Sequence, residues 1–316
     1  MLQRSSTRRS DPPRRIGSVV LNCFHRDPEY HNRHECKLST DPSGELLDRG
    51  VRMSDRAFPT AEEIDYLLDT RGWVLFPDVL PQDLVAPLCD DCDRVYEICS
   101  QVQKANGVAD NMGGTAHHVV GYGGALDEFL AQFPLGEVIE RYFGGKFILL
   151  NFGAALNPPH VRSYTFRPHR DVRAFTRDYR LSLNMLVLLA EFTPLTGGTR
   201  ILSGSHHIEQ MPSAELFERR AEQIVGNAGD IVLFNSLVVH SAAPNQSNDR
   251  RRALTLCLGR PFMKPQMDWQ RFLSHEFQAS MTPSVRQLFG FNARVATSLD
   301  EYYQPEERWT FRADQK

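Results

Sequence analysis

The stretch P-H-R-D-V (168–172) carries a histidine and a carboxylate two residues apart. In an extended chain such residues project to the same face, so His169 and Asp171 point together and Arg170 points away. An imidazole and a carboxylate on one side of a strand supply two ligands of the facial triad used by non-haem iron(II) oxygenases. The third ligand must be a histidine from a strand able to lie alongside. His240 fits, closing the apolar run S-L-V-V-H (236–240) just after the turn at Gly229-Asp230 and the run D-I-V-L-F. Three protein ligands leave room on an octahedral iron for a bidentate cosubstrate and O2.

A second feature is the triplet R-R-R (250–252) entering A-L-T-L-C-L. A basic side chain inside a barrel strand is costly unless it meets an anion. Guanidinium matches a planar carboxylate through paired hydrogen bonds, so an arginine one hairpin beyond His240 could hold the far carboxylate of 2-oxoglutarate. Competing readings of these motifs are weak. H-R-D in a protein-kinase catalytic loop requires an asparagine where Thr176 stands, and no D-F-G follows. S-G-S-H lacks the G-x-S-x-G of a serine nucleophile elbow.

The elements that must position these residues begin at Pro59. Thr60 and Glu63 form a capping box ahead of I-D-Y-L-L, a helix start. Gly72 ends that helix, and W-V-L-F-P (73–77) reads as a strand. Pro81 opens a long helix that places Leu88, Cys92, Val95 and Cys99 on one face. The C-x-x-C of Cys89 and Cys92 therefore reads as core thiols, with no second pair to complete a zinc ribbon, and Cys257 likewise reads as core. Residues 106–124 read as a glycine-rich loop in which His117 and His118 are ordinary polar residues. G-E-V-I-E-R-Y-F (136–143) is a short helix stopped by Gly144-Gly145.

Strands follow: K-F-I-L-L-N-F (146–152), R-S-Y-T-F (162–166), L-S-L-N-M-L-V-L-L (181–189), D-I-V-L-F, S-L-V-V-H and A-L-T-L-C-L-G (253–259). Such runs without long helices between them predict a β-rich α+β chain, a double-stranded β-helix (jelly-roll, cupin-like) core with flanking helices. M-D-W-Q-R-F-L-S-H-E-F (267–277) reads as one late helix. Arg173, Arg177 and Arg180 read as solvated surface.

Residues 1–55 differ, with five arginines among serines and paired prolines before Gly17 and no apolar periodicity. They are expected to be a disordered basic extension, with the catalytic domain over 56–316. Cys23, His25, His31, His34 and Cys36 crowd this stretch without zinc-knuckle spacing. A net charge of -3 gives no global basic field, so nucleic acid is not an expected partner. No long apolar run or secretory leader is visible, and a cytoplasmic location, as monomer or homodimer, is expected.

These blocks in this order resemble the phytanoyl-CoA dioxygenase family of iron(II)/2-oxoglutarate-dependent dioxygenases. The resemblance runs from about Arg71 onward, through R-G-W-V-L-F-P-D-V-L, the H-R-D, G-G-T-R-I-L-S-G-S-H (197–206) and G-D-I-V-L-F…H…P-N…R. It implies iron(II) bound by His169, Asp171 and His240, with 2-oxoglutarate and O2 as cosubstrates. The family pattern assigns the cosubstrate arginine to Arg251, flanked by Arg250 and Arg252, and position alone suggests Asn151 as a further contact. Ser203 and Ala242 stand where many members have proline and serine. The resemblance implies hydroxylation of an unactivated C–H of a small molecule in specialised metabolism, with release of succinate and CO2. Desaturation, cyclisation and epoxidation share the same site, whereas the related halogenases lack the carboxylate present here as Asp171. A protein or nucleic-acid target and a non-catalytic barrel are the alternatives to a small-molecule enzyme.

Overall fold

The computed structural model describes residues 57–161 and 163–315. The basic extension and its cysteine–histidine stretch lie outside the described residues. Helix α1 (Ala61–Thr70) starts at the expected capping box: the Thr60 hydroxyl accepts from the Glu63 amide, and Glu63 reaches back to the Thr60 amide. Strand β1 (Trp73–Phe76) and the long helix α2 (Gln82–Ala105) follow. Leu88, Cys92 and Val95 of α2 are buried as the spacing predicts, with Cys99 partly covered beside them. The glycine-rich segment is more ordered than expected. It contains helix α3 (Ala109–Met112) and strand β2 (Thr115–His117), and helix α4 (Ala125–Ala131) comes directly after it, before α5 (Gly136–Phe143).

Next come β3 (Ile148–Asn157), β4 (Ser182–Leu188), β5 (Arg200–Leu202), α6 (Ala214–Arg220), β6 (Glu222–Gln223), β7 (Ile231–Asn235), β8 (Val239–Ser241) and β9 (Arg251–Gly259). They form a six-stranded sheet in the order β1-β7-β4-β9-β3-β2 and a three-stranded sheet in the order β6-β5-β8. Every pairing is antiparallel. The fold is thus the β-rich, cupin-like arrangement of two antiparallel sheets with flanking helices, without closure into a barrel.

Alternation along the central strands divides the interior. Leu183, Met185 and Val187 of β4, Ile231 and Leu233 of β7, and Leu254, Leu256 and Leu258 of β9 pack in one core with the helices. Their neighbours Leu186, Leu188, Val232, Phe234 and Ala253 form a second core with Phe192, Ile201 and Val238. Covering both faces explains why β4 reads as a continuous apolar run. Each large aliphatic chain so buried contributes about 1.5–3 kcal/mol.

Two expected elements differ. R-S-Y-T-F is a 3-10 turn at Tyr164–Phe166, not a strand. The Ser163 hydroxyl accepts from both the amide and the hydroxyl of Thr165, so local side-chain bonds displace a ladder there. The late helix breaks into α7 (Trp269–Phe272) and α8 (His275–Ser280), because Ser274 caps a new helix by accepting from the Phe277 amide. Helix α9 (Pro283–Leu288) then packs against the core.

Candidate metal and cosubstrate site

His169 and His240 face each other across an antiparallel bridge, each amide donating to the other's carbonyl at 3.0 Å. This two-way pairing puts both imidazoles on one face, with ring centroids 4.4 Å apart. Two residues on, at a bend, the Asp171 amide donates to Ser236 O at 3.2 Å. Asp171 Oδ1 lies 3.5 Å from His169 Nε2, and Oδ2 lies 3.6 Å from His240 Nε2. One ligand atom from each of the three residues falls within 4.8 Å of the others, the spacing a single ion needs.

Both rings are oriented by the backbone. His169 Nδ1 donates to Arg167 O at 2.8 Å and His240 Nδ1 to Val238 O at 3.1 Å, which leaves both Nε2 lone pairs facing Asp171. Burial holds His240 below the usual histidine range, keeping it neutral. Burial opposes ionisation of Asp171, but the neighbouring His240 and His169 and the hydrogen bond from Asn184 hold its carboxyl down to about 2. Two imidazoles and an ionised carboxylate, with nitrogen and oxygen donors converging, match the donor set of a non-haem iron(II) site.

The triad opens into a cavity of about 1000 Å³. Arg251 lines it and is 3% exposed. Its guanidinium stacks on Phe192, 4.3 Å from the ring centroid, while Nε and Nη1 have no hydrogen-bond partner among the described residues. Burial lowers its pKa to about 10. An unpaired, dry guanidinium is costly, and a carboxylate in the cavity would supply the acceptor it lacks. Arg250 and Arg252 instead both reach Asp93, away from the cavity. Asn151 lines the cavity too, but its amide N–H is committed to Gln266 Oε1 at 2.6 Å, and its strand partner is Cys257 rather than Arg251.

Several cavity residues escaped the sequence reading. Asn184 on β4 donates to Asp171 Oδ2 at 2.6 Å. Asn157 is the Cα partner of Arg251, and Thr255 and Cys257 share the Arg251 face of β9. Their signal was period-2 alternation: polar residues recurring every second position inside apolar strands mark one wetted face. His117 and His118 line the cavity rather than an open loop, because β2 pairs with β3. Arg173 also lines it, whereas Arg180 stacks over Tyr142 and donates to Tyr142 O.

Arg170 also borders the cavity, but its guanidinium turns away from the metal ligands. Its guanidinium donates to the carbonyls of Ser205, Ile208 and Glu209, tying the ligand segment to the S-G-S-H turn. His206 of that turn donates through Nε2 to Asp69 O at 3.0 Å, at the end of α1. Cα hydrogen alone fits at Gly72, where a Cβ would meet His206 Nδ1 and Val238 Cγ2 at 2.5 Å, and its φ is +81°.

This fold and this donor set define a class, the cupin-like oxygenases. The sequence profile of phytanoyl-CoA dioxygenase (PhyH) matches residues 68–253. The chain belongs to the phytanoyl-CoA dioxygenase family of iron(II)- and 2-oxoglutarate-dependent dioxygenases, and is an enzyme of that kind. An uncharacterised protein of Mycobacterium tuberculosis is 27% identical over 263 residues, 80% of this chain and 95% of the relative. The dioxygenase easH of Epichloe festucae var. lolii is 32% identical over 151 residues, 44% of this chain and 77% of the relative. Among solved structures, the carbocyclase SnoK from nogalamycin biosynthesis superposes with a TM-score of 0.53 and 16% identity, covering 72% of this chain and 95% of its own. Iron-bound EctD of S. alaskensis gives 0.51 and 20%, covering 68% and 84%. At these identities the structural likeness speaks for the fold. No helix among the described residues is long and apolar enough to cross a membrane.

Proposed function

We propose that His169, Asp171 and His240 hold iron(II), that Arg251 holds the far carboxylate of 2-oxoglutarate, and that the enzyme hydroxylates an unactivated C–H of a small molecule in specialised metabolism. The observation that carries this reading is the convergence of three ligand atoms in the cavity that also contains the unpaired Arg251. Bound iron(II), with 2-oxoglutarate and O2, supplies an oxidant for such bonds while 2-oxoglutarate becomes succinate and CO2. The chain's own residues do the positioning. Arg167 O and Val238 O fix the histidine rings, Asn184 fixes the carboxylate, and Arg251 orients the cosubstrate. The apolar side chains of Phe192 and Phe234 exclude water beside Arg251 and His240. The cavity volume supports a small-molecule substrate beside the cosubstrate.

Anaerobic addition of iron(II) and 2-oxoglutarate is expected to give a weak visible charge-transfer band, lost in the Asp171→Ala, His240→Ala double variant. A metabolite screen should then find substrate-dependent succinate release, with the product gaining one oxygen atom. Loss of two hydrogens instead would replace hydroxylation by desaturation. Succinate release that persists in the double variant would sink the assignment of the ligands.

A further inference from the structure

Arginines flank the segment that carries His169 and Asp171 on both sides. Arg167, His169, Asp171 and Arg173 occupy every second position, and all four line the cavity. Neither Arg167 nor Arg173 has an acidic side chain within ion-pair distance among the described residues. The other two arginines of the cavity are engaged differently. Arg170 is bound to three backbone carbonyls, and Arg251 is the buried cation over Phe192. Against these four arginines the cavity wall holds one carboxylate, Asp171. Two guanidiniums without an acidic partner therefore stand exposed on the cavity wall, unlike the buried Arg251.

Resting on the site reading above, we propose that Arg167 and Arg173 are specificity residues that bind an oxyanion of the substrate, a carboxylate or a phosphate ester, and so set the distance from that anion to the oxidised carbon. Guanidinium binds both oxyanions through paired N–H donors, and neither arginine must break an internal ion pair to do so. The cavity wall also carries Val161, Pro158 and Met112 besides Tyr164, so the body of the substrate has apolar surface to cover. Tyr164 is itself near enough to Asp171 for that charge to raise its pKa, after burial, which places the phenol at the mouth of the same site. A neutral substrate would leave two guanidiniums idle beside the reacting centre.

The test uses the full chain under nitrogen, with iron(II) and saturating 2-oxoglutarate, so that nothing turns over. Octanoate, octyl phosphate and methyl octanoate are titrated by calorimetry, and the charge-transfer band is followed in parallel. Octanoate or octyl phosphate is expected to bind about ten-fold or more tightly than the ester. The Arg167→Gln, Arg173→Gln variant is expected to lose that preference while the band persists. Tighter binding of octanoate than octyl phosphate assigns a carboxylate, and the reverse a phosphate ester. Equal binding of the ester, no binding of either anion, or a preference that survives in the variant overturns the proposal. So does loss of the band on adding the anion, which would place it on Arg251 or the metal instead. A band absent from the wild type before any anion is added refutes the metal-site reading itself, and this proposal with it.

Discussion

Asp171 can serve a metal with only part of its carboxylate, because Asn184 occupies a lone pair of Oδ2 through a 2.6 Å hydrogen bond. Asn184 is 4% exposed and sits mid-strand on β4, so the ladder holds its backbone and the surrounding packing confines its side-chain amide. It is a positioning residue, acting through the carboxylate rather than on the substrate. Asn184→Ala is expected to weaken iron(II) binding about 10- to 100-fold, the usual cost of losing such a partner. Competitive metal titration checks this. A fall in Tm with unchanged metal affinity would reduce Asn184 to a core residue.

At the scale of elements, the site depends on turns that let strands approach closely. Gly197-Gly198 leads into β5, which pairs with the His240 strand. A Cβ on Gly198 would sit 2.3 Å from Ile224 O, a backbone atom that cannot rotate aside. Gly198→Ala is therefore expected to destabilise the protein by about 1–3 kcal/mol. Gly136→Ala, in open space at the start of α5, should be neutral or slightly stabilising. Thermal unfolding of the two variants distinguishes a packing constraint from a general intolerance of alanine. Such turns also mark the limit of what the sequence discloses. The period-2 pattern of H-R-D was legible because alternation determines which residues share a face, and the same alternation runs through β4 and β9, which read only as strands. Arg173 and Asn184 lie on those same patterns, yet choosing the cavity face requires knowing what packs opposite. That depends on pairings such as Trp73 with Phe234, remote in sequence, which no local signal specifies. R-S-Y-T-F failed for the opposite reason, since Ser163 and Thr165 settle its conformation locally against its β-branched and aromatic composition.

Across the whole molecule, partly or fully buried histidines tie remote regions to one pH response. His118 packs edge-on to Trp269 at 5.6 Å between ring centroids, with Nδ1 buried and unpaired. Burial, helped by neighbouring His117, lowers its pKa from 6.5 to about 4. Burial also lowers His117, and His206 at the far end of α1. For each, the folded form binds a proton less readily than the unfolded chain, so the unfolded state gains protons first on acidification. Stability is then fully present above 6.5 and declines as pH falls from there towards about 4, the folded value of His118. The Asp93–Arg252 pair does not account for loss in this window. Hydrogen bonding to Arg252 lowers Asp93 below 3.8, so its contribution disappears only at more acidic pH. Urea midpoints measured on the metal-free chain are expected to hold steady between about pH 8 and 7 and fall progressively below 6.5. His118→Gln, which cannot take up the proton, should flatten part of that decline. The same decline in His118→Gln as in the wild type would show that His118 titrates alike in the folded and unfolded chains.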